Sequence, residues 1–359
     1  MTGTQRSLSL TRREALQAGA VAALVPALLQ LGAITPAEAA ETQLVFGTVG
    51  GGWLDGIKKI FLEQTGFEKQ HDAKVVWDVQ ADTSLITKAL SSCARPVYDL
   101  LQAGVTGAAK LSAAKCIAAY DRSIITNLAD VDDTYKSGDY FVAVIRLLNG
   151  LVYNTKHVKD KPTSWDDLAN PKYKGKVGIP VYSWVGSGLL HAINKAHGGT
   201  EANVDPGIKA SAAIVRGNDA VMVQHSNMGD QLLQREEIWI MPFWTGRMIN
   251  LKASGVPVDI YYQKDFLFAD VGYVVPSHGR NLQLAQKLIN ATLAPEPQLE
   301  ILKRFKYQPT NRKVVVPEDL KAAVLPEYAK NRAAKIDWKK VNEYADRDLE
   351  RWNKEVLGS

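Results

Sequence analysis

The chain has 359 residues, of which 46% are hydrophobic and 23% charged, and its 43 lysines and arginines outnumber its 38 acidic residues by five. These values are typical of a soluble globular protein and exclude wholesale disorder, a collagen-like repeat and a coiled coil. The length corresponds to roughly two domains. Because no run of five or six like charges occurs, the small basic excess does not indicate a nucleic-acid partner, and we expect none.

The first 40 residues have the composition of a signal peptide. An Arg-Arg pair at 12–13 precedes an apolar run over residues 18–34, and Ala37-Glu38-Ala39 supplies a small-residue cleavage site. The arginine pair is similar to a twin-arginine export signal, but Ala15 stands where that signal favours an aromatic residue, so general secretion remains an alternative. A buried amphipathic helix is the other alternative. We expect residues 1–40 to be removed and the rest of the chain to be exported to the periplasm.

Beyond residue 40, apolar positions alternate between strand and helix spacing. The pattern predicts strands at 43–48, 75–79 and 97–103, with helices at 53–64 and 84–92 between them. This β-α-β-α-β order is typical of a parallel sheet with right-handed crossovers. The first part of the chain is therefore predicted to be α/β.

A second series of elements follows, and it again alternates strands with helices. This order predicts a second α/β unit of similar size, followed by a last strand and charged helices near the end of the chain. The predicted elements are, in chain order, strands at 142–145 and 150–153, a strand at 176–179, helices at 188–196 and 206–215, a strand at 220–223, a helix at 228–235, strands at 238–243 and 268–275, and helices at 282–293, 317–328 and 337–356.

Cys93 and Cys116 are the only two cysteines in the sequence. Export to an oxidising compartment permits a disulfide bond between them. Cys93 lies at the end of one predicted helix and Cys116 after the next, with a strand between, so both can lie at the same end of a β-α unit. A disulfide bond and two buried free thiols are both consistent with the sequence. Neither arrangement is catalytic, because no Cys-x-x-Cys motif occurs.

The motifs of common enzyme and cofactor sites are missing from the sequence. Gly50-Gly51-Gly52 follows a predicted strand, but it belongs to no P-loop and no dinucleotide-binding fingerprint. No G-x-S-x-G or H-E-x-x-H motif occurs, and the six histidines are scattered. Tyr261-Tyr262 is similar to the adjacent tyrosines that bind ferric iron in some exported proteins, but neighbours in a strand point to opposite faces. We expect no enzyme activity, no metal and no cofactor.

Two strand-to-helix turns contain glycine together with tryptophan. Open α/β sheets bind ligands at the carboxyl ends of their strands, where helix amino termini expose unpaired N–H groups. Glycines that only form tight turns are the alternative. The candidate ligand-binding residues in these turns are Gly51, Gly52, Trp53, Tyr182, Ser183, Trp184 and Ser187.

A third candidate cluster follows the strand predicted at 238–243. Trp244 stands at the end of that strand, where its ring can stack on a flat or cationic ligand. Arg247 follows three residues later and can pair bidentately with a carboxylate or phosphonate, or with a surface acid.

Several short sequence blocks stand in a fixed order along most of the chain beyond residue 40. The longest begins at Tyr153-Asn154-Thr155, continues through Ser164-Trp165-Asp166-Asp167-Leu168 and ends at Tyr173-Lys174-Gly175-Lys176-Val177. Trp244-Thr245-Gly246-Arg247 and Pro309-Thr310-Asn311 are two others. Together the blocks resemble the polyamine branch of the periplasmic solute-binding proteins, which bind spermidine or putrescine and serve ATP-binding cassette (ABC) importers.

The resemblance implies a type II periplasmic-binding-protein fold, in which hinge crossovers join two α/β lobes that close on a ligand. One lobe is predicted at 41–143 and 266–302, and the other at 144–265 and 303–359. An inner-membrane ABC permease is the implied partner, and a monomer is expected.

The resemblance also implies roles for three residues. Trp244 falls at a position whose indole stacks on the ligand, and Asp270 at one whose carboxylate holds a ligand ammonium. Phe268 replaces an aromatic residue two positions before that carboxylate.

Other positions depart from the pattern of the polyamine receptors. Val181-Tyr182-Ser183-Trp184 replaces an acidic pair, and residues 48–53 replace an Asn-Trp-x-x-Tyr segment. These losses and the presence of Arg247 favour a small anionic or zwitterionic solute, because a polycation held by one acid would leave its second ammonium uncompensated. A spermidine or putrescine receptor is the alternative. An exported hydrolase with a site around His225 and Asp270 is a third hypothesis.

Overall fold

The structure is a computed structural model that describes residues 42–358, which belong to one compact unit. The predicted signal peptide, with its arginine pair and cleavage site, lies outside the described residues. The strands are β1 Thr42–Thr48, β2 Ala73–Val79, β3 Leu100–Gly104, β4 Lys136–Ser137, β5 Phe141–Asn154, β6 Gly178–Pro180, β7 Val221–Val223, β8 Ile240–Trp244, β9 Val258–Tyr261, β10 Leu267–Val274 and β11 Gln308–Pro309.

Helices connect most of these strands, and π-helical turns extend four of them. The α-helices are α1 Gly52–Ile57, α2 Phe67–His71, α3 Asp82–Ser91, α4 Val105–Ala113, α5 Ser187–Ala196, α6 Asp205–Ala212, α7 Ser226–Gln234, α8 Thr245–Ala253, α9 Leu282–Thr292, α10 Pro295–Phe305, α11 Trp338–Glu343 and α12 Ala345–Arg351. The π-helical turns are Lys58–Glu63, Tyr182–Gly186, Ala213–Gly217 and Trp352–Leu357.

The main sheet mixes parallel and antiparallel strands in the order β11-β5-β10-β3-β1-β2. β1 is parallel to both β2 and β3, as the β-α-β-α-β pattern predicts, whereas β10 is antiparallel to β3 and β5. β6 and β7 form a separate parallel pair. The α/β class was predicted, whereas the antiparallel strands of the main sheet were not.

The 14-residue strand β5 is shared by both halves of the molecule. Its first part pairs with β10 and β11, and its second part, Asn149–Asn154, pairs with β8 and β9. The sequence predicted two short strands here. They are continuous because Arg146, Leu147 and Leu148 keep the extended conformation and pair with β10. β5 therefore links the two lobes directly, while the predicted lobe boundaries stay a prediction.

Each lobe has its own hydrophobic core. In the first lobe Leu44, Phe46 and Leu288 are fully buried among residues of β1, α9 and their neighbours. In the second lobe Trp165 and Trp352 are each 1% exposed in a cluster with residues of α5 and α6.

The last part of the chain lies against residues of both predicted lobes. Ala333 bridges to Phe266, and the backbone N–H of Asp337 donates to Glu201 Oε1 at 2.9 Å. α11 then reaches α4 of the first lobe, where Asn342 Nδ2 donates to the carbonyl oxygen of Thr106 at 3.4 Å. The C-terminal segment thus contacts both lobes.

A disulfide bond joins Cys93 and Cys116, whose Cα atoms lie 5.0 Å apart. The bond links the turn after α3 to the turn after α4. Closing a loop of this length stabilises the folded state by about 3 kcal/mol in the chain-entropy model.

Candidate functional site

A cavity of about 270 Å³ lies between the two lobes, at the carboxyl end of β3 and along β10. The first lobe contributes the starts of α3 and α4, and the second lobe contributes the π-turn before α5, the end of β8 and the start of α11. Its lining residues are Asp82, Gly104, Val105, Thr106, Trp184, Val185, Ser187, Gly188, Trp244, Leu267, Phe268, Ala269, Asp270, Val271 and Trp338.

Aromatic rings form much of the cavity wall. Trp184 and Trp244 are partly buried and pack against one hydrophobic cluster of the second lobe. Trp338 closes another side, next to Gly188 at the start of α5, where a Cβ would lie 3.4 Å from its ring. Indole and phenyl faces attract cations, since the ring quadrupole is negative at the face.

Asp82 supplies an unpaired carboxylate to the cavity. It is the first residue of α3, immediately after the turn that follows β2. Its carboxylate has no hydrogen-bond or ion-pair partner among residues 42–358. The residue as a whole is exposed, but its carboxyl lies among protein atoms of the cavity wall, and this desolvation raises the pKa of Asp82. A cationic ligand group would compensate this charge.

Asp270 is the second acidic residue of the wall, and its carboxylate is already paired. Arg146 stands directly opposite it on β5 and donates from Nε and Nη2 to the two carboxylate oxygens, at 2.7 Å each. Burial raises the pKa of Asp270, and the bonds from Arg146 oppose this effect. Two short charge-assisted bonds make this a strong bidentate pair.

The amino terminus of α4 forms another part of the wall through Gly104, Val105 and Thr106. The first backbone N–H groups of a helix have no partner within the helix, and the helix dipole makes this end positive. The wall therefore offers hydrogen-bond donors here, while none of its lining residues within 42–358 is a lysine, arginine or histidine.

Five of the twelve residues predicted for ligand binding line this cavity, namely Trp184, Ser187, Trp244, Phe268 and Asp270. Tyr182 and Ser183 belong to the same π-turn but lie outside the lining. Tyr182 packs against Trp352, and burial, together with the charge of Asp348, raises the pKa of Tyr182 to about 12.

The first glycine-rich turn lies outside the lining as well. Gly51 and Gly52 are exposed, and Gly51 has a φ of 71°, which favours glycine. Trp53 donates from Nε1 to Gln102 Oε1 at 2.8 Å and packs against Phe305. In this conformation the turn begins α1, and Trp53 packs against the core of the first lobe.

Arg247 and His225 also have partners away from the cavity. Arg247 donates to Asp230 Oδ2 at 2.7 Å and to Asn227 Oδ1 at 3.1 Å, which is the surface-acid alternative raised by the sequence. His225 caps α7 by accepting the backbone N–H of Met228. No described residue thus places a basic side chain in the cavity wall.

Ten of the fifteen lining residues were not predicted, and Asp82 and Trp338 are the two of these that matter most for a ligand. Asp82 meets the sequence criterion that selected Trp184, because it begins a helix that follows the carboxyl end of a strand. Trp338 carried no such signal, since it lies 94 residues beyond Trp244 in a segment whose contacts depend on the folded chain.

No metal site is indicated within residues 42–358. This range contains no group of three or more histidine, cysteine, aspartate or glutamate residues that could hold an ion. Tyr261 stacks on Tyr328, whereas Tyr262 is buried against Thr245, so the adjacent tyrosines do face opposite ways. In the same range, no helix combines the length and the apolar character that crossing a membrane requires.

Residues 65–328 match the family described as bacterial extracellular solute-binding protein. The spermidine/putrescine-binding periplasmic protein of Escherichia coli (strain K12) is 23% identical over 280 residues, which cover 74% of this chain and 79% of that protein.

Solved structures share the fold. The crystal structure of an ABC transporter from Clostridium perfringens ATCC 13124 aligns with a TM-score of 0.77 at 21% identity, covering 87% of this chain and 99% of that one. A putative extracellular solute-binding protein from Bordetella parapertussis aligns with a TM-score of 0.75 at 21% identity, covering 88% and 99%. The chain therefore belongs to the bacterial extracellular solute-binding proteins, and it is an extracytoplasmic solute receptor of the ABC-transporter type rather than an enzyme.

Proposed function

We propose that this receptor captures a small zwitterionic solute in the cavity between its lobes and delivers it to an inner-membrane ABC permease. The observation that carries the proposal is the unpaired carboxylate of Asp82 in a wall that also contains several aromatic rings and the amino terminus of α4. A ligand ammonium pairs with Asp82, and a ligand carboxylate accepts hydrogen bonds from α4.

The ammonium group of the ligand would have both kinds of partner that bind cations in proteins. Asp82 supplies the counter-charge, and the tryptophan faces supply cation–π attraction. A purely anionic solute is disfavoured, because it would meet an uncompensated carboxylate and no basic side chain. Arg247 does not supply a basic group to the cavity, because its guanidinium is paired with Asp230.

The carboxylate of the ligand would face the backbone N–H donors of α4, which carry only partial charge. A helix amino terminus is a common seat for anions, and Thr106 lies at the start of α4 with an additional hydroxyl donor. The cavity volume of about 270 Å³ lies just below the usual range for drug-sized ligands, which favours a compact solute.

Spermidine or putrescine is the second candidate, favoured by the relative from Escherichia coli that carries those names. Such a ligand needs a counter-charge for each ammonium. Asp270 supplies one only if it parts from Arg146, with which it makes two bonds of 2.7 Å.

Binding would couple to closure, because both lobes line the cavity. A ligand that bridges Asp82 of the first lobe and Trp244 of the second stabilises the closed state over the open one. The closed surface would then be presented to the permease by a monomeric protein in the periplasm.

Native mass spectrometry of gently purified protein identifies any ligand that co-purifies. Calorimetry with four compounds of equal chain length then tests the class, using 4-aminobutanoate as the zwitterion, butylamine as the cation, butanoate as the anion and 1,4-diaminobutane as the dication. We expect the zwitterion to bind most tightly. Tightest binding of butanoate, or of 1,4-diaminobutane, would reject the proposal.

The site assignment has its own test. Trp244→Ala removes a wall of the cavity and should weaken binding of the zwitterion about 10- to 100-fold without loss of folding. Trp239→Ala is the matched control, because Trp239 stacks on His157 and does not line the cavity. Equal affinities for the two variants would contradict the placement of the ligand.

A further inference from the structure

Arg146 is a cation built into the protein directly behind the cavity wall. It is 8% exposed and lies at the centre of β5, where it is not itself a lining residue. Its guanidinium carbon lies 3.7 Å from the ring centroid of Phe268 and 4.1 Å from that of Tyr135. Phe268 also lines the cavity, so the guanidinium and the ligand share one aromatic residue.

The contacts of Arg146 are those expected of a bound organic cation. One carboxylate, Asp270, receives two of its N–H groups at 2.7 Å, and the carbonyl oxygen of Thr134 receives another at 2.7 Å. Two aromatic rings complete the surroundings. A carboxylate combined with aromatic faces is a site that would accept any cation of suitable size.

The pairing fixes the charge that the cavity offers. Among residues 42–358, Asp82 and Asp270 are the two acidic residues that line the cavity, and Arg146 neutralises Asp270. The wall therefore presents one uncompensated negative charge, which matches a ligand with a single ammonium. A diamine would place its second ammonium in a partly desolvated site without a counter-charge.

We propose that Arg146 determines the specificity of the cavity by occupying, from inside the protein, the carboxylate and aromatic site that would otherwise hold a second ligand ammonium. Arg146 acts through Asp270 and Phe268 rather than by touching the ligand. The inference deepens the proposed function, on which it rests for the place of ligand binding, and it assigns the ligand class as mono-ammonium compounds.

The experiment removes the guanidinium and measures diamine binding. Arg146→Ala vacates the space beside Phe268 and leaves the Asp270 carboxylate unpaired. Calorimetry with 1,4-diaminobutane should show at least a tenfold gain in affinity over the wild type, and the compound should raise the melting temperature of the variant more than that of the wild type. Butylamine, with one ammonium, should gain less than threefold.

The double variant Arg146→Ala/Asp270→Asn separates specificity from a general loosening of the fold. It has the same space but lacks the carboxylate, so the gain in diamine affinity should disappear. A gain that persists in the double variant, or no gain in Arg146→Ala, overturns the inference.

A second measurement covers the case in which Arg146→Ala does not fold. The wild type itself should bind butylamine at least tenfold more tightly than 1,4-diaminobutane, and a wild type that binds the diamine as tightly overturns the inference. Failure of the proposed function gives a different result, namely that 4-aminobutanoate and butylamine both bind no better than butanoate.

Discussion

Replacing Asp82 by asparagine tests the ionic half of the proposed binding site. The substitution keeps the shape of the side chain and removes the one uncompensated charge of the cavity wall. An ammonium about 4 Å from the carboxylate gains roughly 4 kcal/mol at an effective dielectric constant of about 20. Because Asp82 is partly open to solvent, a net loss of about 2–3 kcal/mol is expected, which weakens binding of 4-aminobutanoate about 30- to 150-fold.

The assay is titration calorimetry at pH 7, with the melting temperature as a check on folding. Asp160→Asn is the matched control, since its side chain is 87% exposed and pairs with Lys172 on the surface. Butanoate, which has no ammonium, should bind the Asp82→Asn variant no worse than the wild type. An affinity of the variant for 4-aminobutanoate within about threefold of the wild type would show that Asp82 does not pair with the ligand ammonium.

The same carboxylate makes binding sensitive to acid. Desolvation raises the pKa of Asp82, so the ionised form that binds an ammonium is lost as the pH falls through this raised value. Affinity in the wild type should be constant near neutral pH and decrease on the acid side. In Asp82→Asn the affinity should show a weaker decrease over the same pH range.

Stability offers three independent checks. Replacing Cys93 and Cys116 together by serine removes the disulfide bond and should lower the free energy of unfolding by about 3 kcal/mol in urea denaturation, and an unchanged value would argue against the bond. Glu201→Gln should cost about 1–3 kcal/mol at pH 7. Burial alone would raise the pKa of Glu201, but its hydrogen bonds lower the pKa to about 2 from an ordinary 4.5. The stabilisation by the Glu201 carboxylate is therefore present above pH 4.5 and is lost as the pH falls toward 2. A difference in stability between Glu201→Gln and the wild type that does not change with pH would refute this. Gly272→Ala drives a methyl group into a backbone carbonyl of β5 and should lower the melting temperature, whereas Gly217→Ala, which meets no atom within 4 Å, should be tolerated; equal effects would show that the strand spacing adapts.

Local patterns predicted the elements well where a single hydrophobic period dominates. The first strand was predicted at 43–48 and spans Thr42–Thr48, and the helix predicted at 282–293 spans Leu282–Thr292. The continuity of β5 was missed, because a pairing partner rather than a local period keeps Arg146 in the strand. Pairing between distant strands is a tertiary effect that a window of neighbouring residues does not contain.

The site was predicted in part for a similar reason. Trp244 was selected because it stands at the end of a predicted strand, and it lines the cavity. Asp270 was assigned to a ligand ammonium by family resemblance, and its carboxylate is paired with Arg146, a residue 124 positions away. The sequence shows which residue types are present, but whether a charge is free depends on what the fold places beside it.

α11 is one of the last elements of the chain to be synthesised. Trp338 supplies one wall of the cavity, and Asn342 reaches the first lobe only after nearly the whole chain has been synthesised. A nascent chain that has folded its first lobe still lacks a complete binding site. A chain that stops before residue 338 would therefore lack this wall of the proposed binding site.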